Sequence, residues 1–352
     1  MLVTHITTSP DPTMMTLRKI AAELELDCGT VSHILNHDDS RYSNQTRKRV
    51  REFADSQGYR PNAIARAMRT RKTGIVGLLF RQEPGHPLSG ESFYSRIIEG
   101  VESDLLDAGY KVLLASVSNA EIASCQIPSI FQDGFVEGLI VLGTSDERWL
   151  KNVYKACRKL VVVDEAPEGL PTVVSANFEG GRQAAQYFWE RGHRSLALIT
   201  GERPNLNFQQ RVDGFQSWIA EQLDAEIKIP VFKGDAWADG GAYAARAILA
   251  SGQRPSAIFC TNDNMAIDAM KALQAAGCRV PEEISVLGFD NILVSAYATP
   301  PLTTVAVDKT QMGREAARML VEKLKSADRL PALRKEMPLK IVERASIQTL
   351  KN

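Results

Sequence analysis

The most extensive regular feature of the sequence is an alternation of short apolar runs and amphipathic segments that begins at Gly74. The apolar runs predict strands at 75–80, 111–115, 139–142, 160–163, 173–175, 196–200, 227–232, 257–260 and 284–287, and the amphipathic segments predict helices at 93–108, 179–191, 208–223, 241–250 and 264–275. Strands separated by helices are joined by right-handed crossovers and form parallel sheets. Residues 74–352 are therefore predicted to form an α/β core with doubly wound parallel sheets.

Length and composition limit the remaining classes of protein. A chain of 352 residues exceeds one average domain, and with 24% charged residues and no long apolar run it is expected to be soluble, without a membrane span. Residues 1–13 lack the basic and apolar regions of a signal peptide, which predicts a cytoplasmic protein. The five cysteines are scattered, which fits a reducing compartment and gives no metal-site spacing. No cofactor is expected.

Positive charge is concentrated near the N-terminus although the net charge of the chain is zero. Residues 41–72 contain ten Lys or Arg against two acids, Glu52 and Asp55. Such a segment is typical of a surface that binds a polyanion. A solvated, charged helix face is the alternative interpretation of the charge alone.

The first seventy residues predict three short helices. Thr16 can cap a first helix with Leu17, Ile20, Ala21 and Leu24 facing inward, and Asp27 can cap a second over 28–36. Ser43 can cap a third that ends at Gly58 and carries its basic side chains outward. Two helices joined by a tight turn form a helix-turn-helix, which places its second helix in the major groove of DNA. Three-helix modules without a DNA function show the same periodicity, so that alternative stays open.

Four segments resemble the headpiece and hinge of the LacI/GalR family of repressors: TLRKIAA (16–22), GTVSHILN (29–36), SNQTRKRV (43–50) and GYRPNAIARAMRT (58–70). The resemblance implies a flexible leader at 1–15, an all-α helix-turn-helix domain at 16–60 and a hinge helix with linker at 61–73. It also implies DNA contacts at Thr16, Cys28, Gly29, Thr30, Ser32, His33, Asn36, Ser43, Thr46, Tyr59, Asn62, Ala65, Arg66 and Met68. The partner would be a pseudo-palindromic operator bound by a homodimer.

Four positions, Glu25, Cys28, Gly29 and His33, depart from the family pattern. Glu25 stands where a turn glycine is usual, so a left-handed backbone there would cost about 1 kcal/mol. Cys28 and Gly29 are small at positions that read bases in relatives. His33 replaces a common arginine and lacks the two-pronged donor that suits guanine. We therefore expect an operator that deviates from the usual half-site.

Residues 61–71 resemble the family's hinge helix, which forms on DNA and inserts a wedge residue into the minor groove. The wedge would be Met68, where leucine is common. A short segment of this length is marginal as an isolated helix. A simple interdomain linker is the alternative.

Polar residues follow several predicted strands of the core, where doubly wound sheets bind ligands. They are Asp164, the pair Asn262 and Asp263, and Asp290. Helix capping is an equally plain explanation for any one of them alone.

The resemblance continues through RGHR (191–194), RVDGF (211–215), TNDNMA (261–266), VPEEISVLGFD (280–290), LTTV (302–305) and Arg344. It implies a two-lobed, periplasmic-binding-protein-like core with three crossovers, lobe one at about 74–173 and 304–332 and lobe two at about 174–303 and 333–352. The effector, sugar-like by resemblance, would be bound by Phe93, Asp164, Asn207, Arg211, Trp237, Asn262 and Asp290. Core packing is the alternative for Phe93 and Trp237, and the family's aromatic position is Ala236 here.

Other classes of protein fit less well. A periplasmic binding protein would share the core but would need a signal peptide and no helix-turn-helix. An enzyme would need a phosphate loop, a dinucleotide motif after the first strand or a nucleophile elbow, none of which the sequence contains. We expect no catalytic residues. The chain stops soon after Arg344 without added leucine heptads, which predicts a dimer.

Overall fold

The computed structural model describes residues 15–36, 41–60, 72–81, 92–143, 146–202, 205–223, 228–235, 239–326 and 333–350. The chain divides into two compact units, Met1–Thr73 and Gly74–Asn352. Each unit is described by itself. The predicted leader and hinge helix fall wholly or mainly outside the described residues.

The first unit contains α1 (Leu17–Glu23), α2 (Cys28–Asn36) and α3 (Asn44–Ser56). Thr16 caps α1 by accepting from the Lys19 amide at 3.3 Å, and Ser43 caps α3 by accepting from the Thr46 amide at 3.1 Å. Asp27 Oδ1 accepts from the Gly29 amide at 2.6 Å at the start of α2. These side chains satisfy amides that have no partner within their helix.

The three helices bury one apolar cluster, whose fully buried members are Ile20, Ala21, Leu24, Val31, Ile34, Val50 and Ala54. Leu35 and Phe53 pack against it from half-buried positions. The inward positions predicted from helical periodicity are therefore confirmed.

The second unit alternates strands and helices as the sequence predicts. Its strands are β1 (Ile75–Arg81), β2 (Lys111–Val117), β3 (Gly138–Leu142), β4 (Leu160–Val163), β5 (Thr172–Ser175), β6 (Leu196–Gly201), β7 (Val231–Gly234), β8 (Ala257–Cys260), β9 (Ser285–Asp290), β10 (Thr303–Ala306), β11 (Arg334–Met337) and β12 (Lys340–Val342). Its helices are α4 (Ser92–Asp107), α5 (Asn119–Ala123), α6 (Ser129–Gln132), α7 (Glu147–Ala156), α8 (Asn177–Glu190), α9 (Leu206–Leu223), α10 (Gly240–Ala250), α11 (Asp263–Ala275) and α12 (Lys309–Lys325), with a 3-10 turn at Leu293–Tyr297.

Within the described residues the strands form two sheets, in the orders β11-β5-β4-β3-β1-β2 and β12-β10-β9-β8-β6-β7. Each sheet defines one lobe. The pairings are parallel except for β10 with β12, which is antiparallel. The predicted two-lobed α/β core is confirmed, with one antiparallel edge strand that the sequence did not indicate.

The chain passes between the lobes after β5, after β10 and between β11 and β12. Strand β10 lies in the second sheet and β11 in the first, so the predicted lobe boundaries near 304 and 333 are wrong by one strand each. The sequence RKEM of β11 is largely exposed at a sheet edge and contains no apolar run that would reveal it. Strand β7 is Val231–Gly234, so it begins after Pro230, whereas the predicted strand begins at 227.

Candidate functional site

The turn between α1 and α2 has a left-handed backbone at Glu25, where the sequence had left open a strained or a reshaped turn. Glu25 has φ 52° there. Non-glycine residues reach this region at a cost of about 1 kcal/mol. The Leu26 amide donates to the Ala21 carbonyl at 2.9 Å and closes the turn, which offsets this cost.

Most predicted DNA contacts that the structure describes lie at the surface of the first unit. Exposed positions are Thr16, Cys28, Gly29, His33 and Ser43, and half-exposed ones are Thr30, Thr46 and Tyr59. Asn36 is the last residue of α2. Asn62, Ala65, Arg66 and Met68 lie outside the described residues.

Ser32 differs from the other predicted contacts because it is buried, with only 4% of its surface exposed. It lies on the side of α2 that carries Val31 and Ile34 toward the helical core. A side chain in that position supports packing of α2, and the structure does not place it with the exposed contacts.

The outer side of α3 carries the predicted positive charge. Lys48, Arg49 and Arg51 are exposed, whereas Arg47 is half-buried and donates to Asn44 Oδ1. Three of the four basic side chains are therefore accessible to an anionic partner such as a phosphate backbone.

Arg41 is a candidate contact that the sequence analysis missed. Its Nη2 lies 3.3 Å from His33 Nδ1, so a guanidinium is held beside the exposed side of α2. Arg41, which precedes α3, therefore places a guanidinium beside His33, the position at which the resemblance implies arginine in relatives. The sequence signal for this contact was the position of Arg41 as the first residue of the basic segment 41–72.

In the second unit, Arg211 on α9 is the centre of a buried polar network. Its Nε donates to Asn177 Oδ1 at 2.8 Å, and its Nη1 donates to the Thr261 carbonyl at 2.6 Å. The guanidinium carbon lies 3.7 Å from the centre of the Phe289 ring, and Arg211 is 2% exposed. These contacts orient the guanidinium between strands β8 and β9 at their carboxyl ends.

Asp290 ends β9 beside this guanidinium. Arg211 Nη1 lies 3.1 Å from Asp290 Oδ1. Although this is an ion-pair distance, Oδ1 accepts no hydrogen bond among the described residues. A buried carboxylate oxygen with an unused acceptor is suited to a donor from a small ligand.

Asp164 brings the first lobe into the same network. It follows β4 with φ 66°, and Asn207 Nδ2 donates to its carbonyl at 2.8 Å and to its Oδ1 at 3.1 Å. Tyr94 Oη donates to Asp164 Oδ2 at 3.2 Å, and Asn177 Nδ2 donates to Asn207 Oδ1 at 3.0 Å. Side chains from both lobes therefore form one continuous hydrogen-bonded cluster.

Several buried carboxyl groups surround this cluster. Burial raises the pKa of Asp164 to about 7, opposed by Arg211, and raises the pKa of Glu165 to about 8. Burial likewise raises the pKa of Asp263 to about 7 and raises the pKa of Asp290, the latter opposed by Arg211 and Lys309. The site is rich in acceptors and holds its charge in a weakly solvated environment.

Of the predicted effector contacts, the structure brings together Asp164, Asn207, Arg211 and Asp290. Asn262 caps α11 by accepting from the Met265 amide at 2.8 Å, as the capping alternative predicts. Phe93 is half-buried and packs edge-on against Tyr94 with ring centres 5.2 Å apart, which fits its packing alternative. Trp237 lies outside the described residues.

The site also contains three residues that the sequence did not indicate, Tyr94, Asn177 and Lys309. Asp263 was predicted as a polar residue that follows a strand but not as an effector contact. Asp263 accepts from Thr304 Oγ1 at 2.6 Å and from the Ile292 amide at 2.8 Å. The signal for Asn177 was its place two residues after the end of β5. Tyr94 lies within α4, where no strand end marks it, and Lys309 begins α12 three residues after the end of β10.

Comparison with known proteins supports both units. Residues 185–347 match the family model of a periplasmic binding protein-like domain. The HTH-type transcriptional repressor PurR of Vibrio atlanticus is 30% identical over 342 residues, which cover 96% of this chain and 100% of that protein.

Solved structures show the same architecture. The transcriptional regulator CelR in complex with cellobiose is 28% identical, with a TM-score of 0.69, covering 95% of this chain and 100% of that one. A Lac repressor dimer bound to operator and the anti-inducer ONPF is 23% identical, with a TM-score of 0.81, covering 95% and 99% of the two chains. No helix among the described residues is long and apolar enough to cross a membrane.

Proposed function

The chain belongs to the LacI/GalR family of transcriptional regulators, and from that premise we propose that it represses transcription by binding a two-fold operator as a dimer, under the control of a sugar-like effector. Residues 16–60 would bind DNA, 61–73 would form the hinge and 74–352 would bind the effector. Such a protein acts on DNA in the cytoplasm and is not an enzyme.

One observation carries the DNA-binding proposal: the first unit exposes Cys28, Gly29 and His33 on α2 and exposes the basic side chains of Lys48, Arg49 and Arg51 on α3. Exposed side chains near the start of a recognition helix reach base edges, and cations flanking them bind phosphates. The small Cys28 and Gly29 leave His33 and Arg41 as the larger polar groups on this side.

The effector proposal rests on the network around Arg211. Adjacent sugar hydroxyls both donate and accept, so they suit a site that combines the unused acceptor of Asp290 with the guanidinium of Arg211 and the carboxyl of Asp164. The CelR relative was solved with cellobiose, which is the kind of ligand that such a site would hold.

Dimerisation is supported by an exposed apolar surface on the 3-10 turn of the second lobe. Leu293, Val294 and Tyr297 are 62%, 52% and 78% exposed. Contiguous exposed apolar side chains are typical of protein interfaces. Tyr297→Asp is expected to shift the protein to monomer in sedimentation velocity, whereas Phe135→Asp, which alters another exposed aromatic residue, in the first lobe, leaves it dimeric.

DNA binding is tested by selecting bound fragments from random-sequence DNA with the full chain. We expect enrichment of two half-sites related by two-fold symmetry, weakened by His33→Ala. Enrichment of no symmetric sequence overturns the operator proposal.

The hinge is tested on the selected DNA with Met68→Ala, which is expected to reduce the affinity for that DNA and the bending of it. A wedge residue in the minor groove unstacks base pairs, and the contacts that it adds there offset this cost, so the variant loses those contacts.

The effector is sought by thermal stabilisation of the full chain against neutral sugars, sugar phosphates, nucleosides and polyols, because a saturating ligand shifts the unfolding equilibrium. A stabilising compound should change affinity for the selected DNA and leave no reaction product on incubation. Stabilisation by none of the sugars, sugar phosphates or polyols, or turnover of any compound, overturns the proposed repressor under the control of a sugar-like effector.

A further inference from the structure

Lys309 is a buried lysine that contacts the segment containing Asp290. It is the first residue of α12 and is 7% exposed. Its Nζ donates to the carbonyl of Asp290, to the carbonyl of Asn291 at 3.1 Å and to the carbonyl of Val307 at 3.2 Å. All three ammonium hydrogens therefore have backbone acceptors, two of them at the end of β9.

The segment that Lys309 contacts has an unusual backbone. Asp290 has φ 105° and Asn291 has φ 52°, two consecutive non-glycine residues in the region that favours glycine. Such conformations persist only where surrounding contacts hold them. They turn the carbonyls of both residues toward one ammonium, while the Asp290 side chain lies beside Arg211.

Other contacts hold the same segment from within the second lobe. Asp263 Oδ2 accepts from the Ile292 amide at 2.8 Å, and Thr304 Oγ1 accepts from the Asn291 amide at 3.3 Å. Arg344 Nη2 donates to Asn291 Oδ1 at 2.7 Å. All three groups belong to the second lobe, so they hold the segment relative to its own sheet.

Lys309 instead comes from a helix of the first lobe. Helix α12 packs on α4 and on strands β3, β4 and β5. The contact with α4 is backbone to backbone at two glycines: a Cβ on Gly100 would lie 2.0 Å from the Thr310 carbonyl oxygen, and one on Gly313 would lie 2.0 Å from the Ile97 carbonyl oxygen. The position of the Lys309 ammonium is therefore fixed by the first lobe.

We propose that Lys309 is a positioning residue of the effector site, which holds the Asp290 carboxylate in place through the backbone of residues 290–291 and makes its position depend on the first lobe. This inference rests on the proposed function in one respect: the position of the Asp290 carboxylate matters because Asp290 belongs to the proposed effector site. Lys309 Nζ also lies 5.8 Å from the centre of the Phe93 ring, and Phe93 packs on Tyr94, which donates to Asp164. Both carboxylates that face Arg211 are thereby supported from α4 and α12.

The test measures hydrogen exchange of the ligand-free full chain by mass spectrometry, followed on peptides that cover 288–296. Lys309→Met removes the ammonium and keeps the length of the side chain, so we expect the amides of Asn291 and Ile292 to exchange at least about tenfold faster. Lys309→Arg keeps a buried cation with hydrogen-bond donors, so the exchange rate of these amides is expected to stay within about threefold of the rate in the parent.

Lys323→Met is the matched control, because Lys323 is also buried, at 9% exposure, on the same helix. It should leave exchange of 288–296 unchanged. Parent-like exchange in Lys309→Met, or equal acceleration in Lys323→Met, overturns the inference. If Lys309→Met does not fold, Lys309→Gln, which loses the charge and part of the length, is judged by the same threshold. No effector or operator is used, so a failed effector screen does not affect this result.

Discussion

Arg211 shows how one side chain organises the site. Its guanidinium is buried against Phe289 and shares hydrogen bonds with Asn177 and the Thr261 carbonyl. Charged hydrogen bonds are strong in a poorly solvated interior, and removing one partner leaves the others without compensation. The same contacts that present Arg211 to a ligand therefore also stabilise the second lobe.

Arg211→Ala is expected to lower the free energy of unfolding of the core by about 3 to 5 kcal/mol, because it leaves the buried Asp290 carboxylate without its cation. Urea unfolding followed by tryptophan fluorescence measures this, since all four tryptophans, at positions 149, 189, 218 and 237, belong to the second unit.

Asp290→Asn is the companion variant and should cost less, because Arg211 keeps its hydrogen bonds to Asn177 and to the Thr261 carbonyl. Both variants are expected to lose the effector response while binding the selected operator nearly as the parent does. Unchanged stability of Arg211→Ala would show that the network contributes nothing to folding.

The buried carboxyls give a second prediction at this scale, in the pH dependence of stability. Burial raises the pKa values of Asp164 and Asp263 to about 7 and of Glu165 to about 8, above their values in the unfolded chain. The native state then binds more protons than the unfolded state, so stability falls as pH rises from about 4 to about 8, by up to ~1.4 kcal/mol per pH unit for each group.

His193 has the opposite effect on the pH dependence of stability. Burial lowers the pKa of His193, so the contribution of this residue to stability is lost as pH falls below about 6.5. Urea unfolding between pH 6.5 and 8.5 avoids that region. Glu165→Gln should flatten the slope there, and a slope that rises with pH would contradict the assignment.

At the scale of elements, the first unit depends on helix caps and turns. Thr16, Asp27 and Ser43 each accept from amides at a helix start. The turn between α1 and α2 is less favourable, because Glu25 has the left-handed φ of 52°. Helices of seven and nine residues are too short to be stable alone, so the turn and caps matter here.

Glu25→Gly is expected to stabilise the first unit by about 1 kcal/mol, because glycine adopts a left-handed backbone without steric cost. Slower hydrogen exchange of peptides covering α1 and α2 is the measurement. Gly58→Ala is the control with the opposite expected effect. Gly58 has φ 64° and an added Cβ meets no atom within 4 Å, so this substitution should destabilise the unit only through the strained backbone of alanine. Faster exchange in Glu25→Gly would exclude strain at this turn.

For the whole molecule, charge separates the two units. The segment 41–72 carries ten basic residues against two acids, although the chain as a whole is neutral. A dimer would present this segment twice to DNA. Electrostatic attraction to phosphates releases counterions, which makes affinity depend on salt.

Operator affinity is therefore expected to fall steeply and linearly on a plot of log K against log salt concentration. Lys48→Gln and Arg49→Gln alter exposed cations of α3, and each should reduce the slope by about one for every phosphate contact that is lost. Lys111→Gln, on an exposed strand residue of the second unit, should not change the slope. A flat plot for the parent would contradict phosphate binding by this segment.

Local sequence was sufficient to predict the helices of the first unit, the alternation of strands and helices, and the parallel sheets. Caps, apolar periodicity and glycines act over a few residues, and each can be read from neighbours in the chain. The motifs also identified the family, and they pointed to Asp164, Arg211 and Asp290 because these follow strands or lie in recognisable segments.

Only the tertiary structure decided which polar groups meet. Asn177 joins Arg211 to Asn207, Tyr94 donates to Asp164 from 70 residues away, and Lys309 reaches the carbonyls of the Asp290 segment from a helix of the other lobe. It also assigned Asn262 to a helix cap and β11 to the first sheet. These contacts depend on how three crossovers bring distant residues together, and no pattern of near neighbours encodes that arrangement.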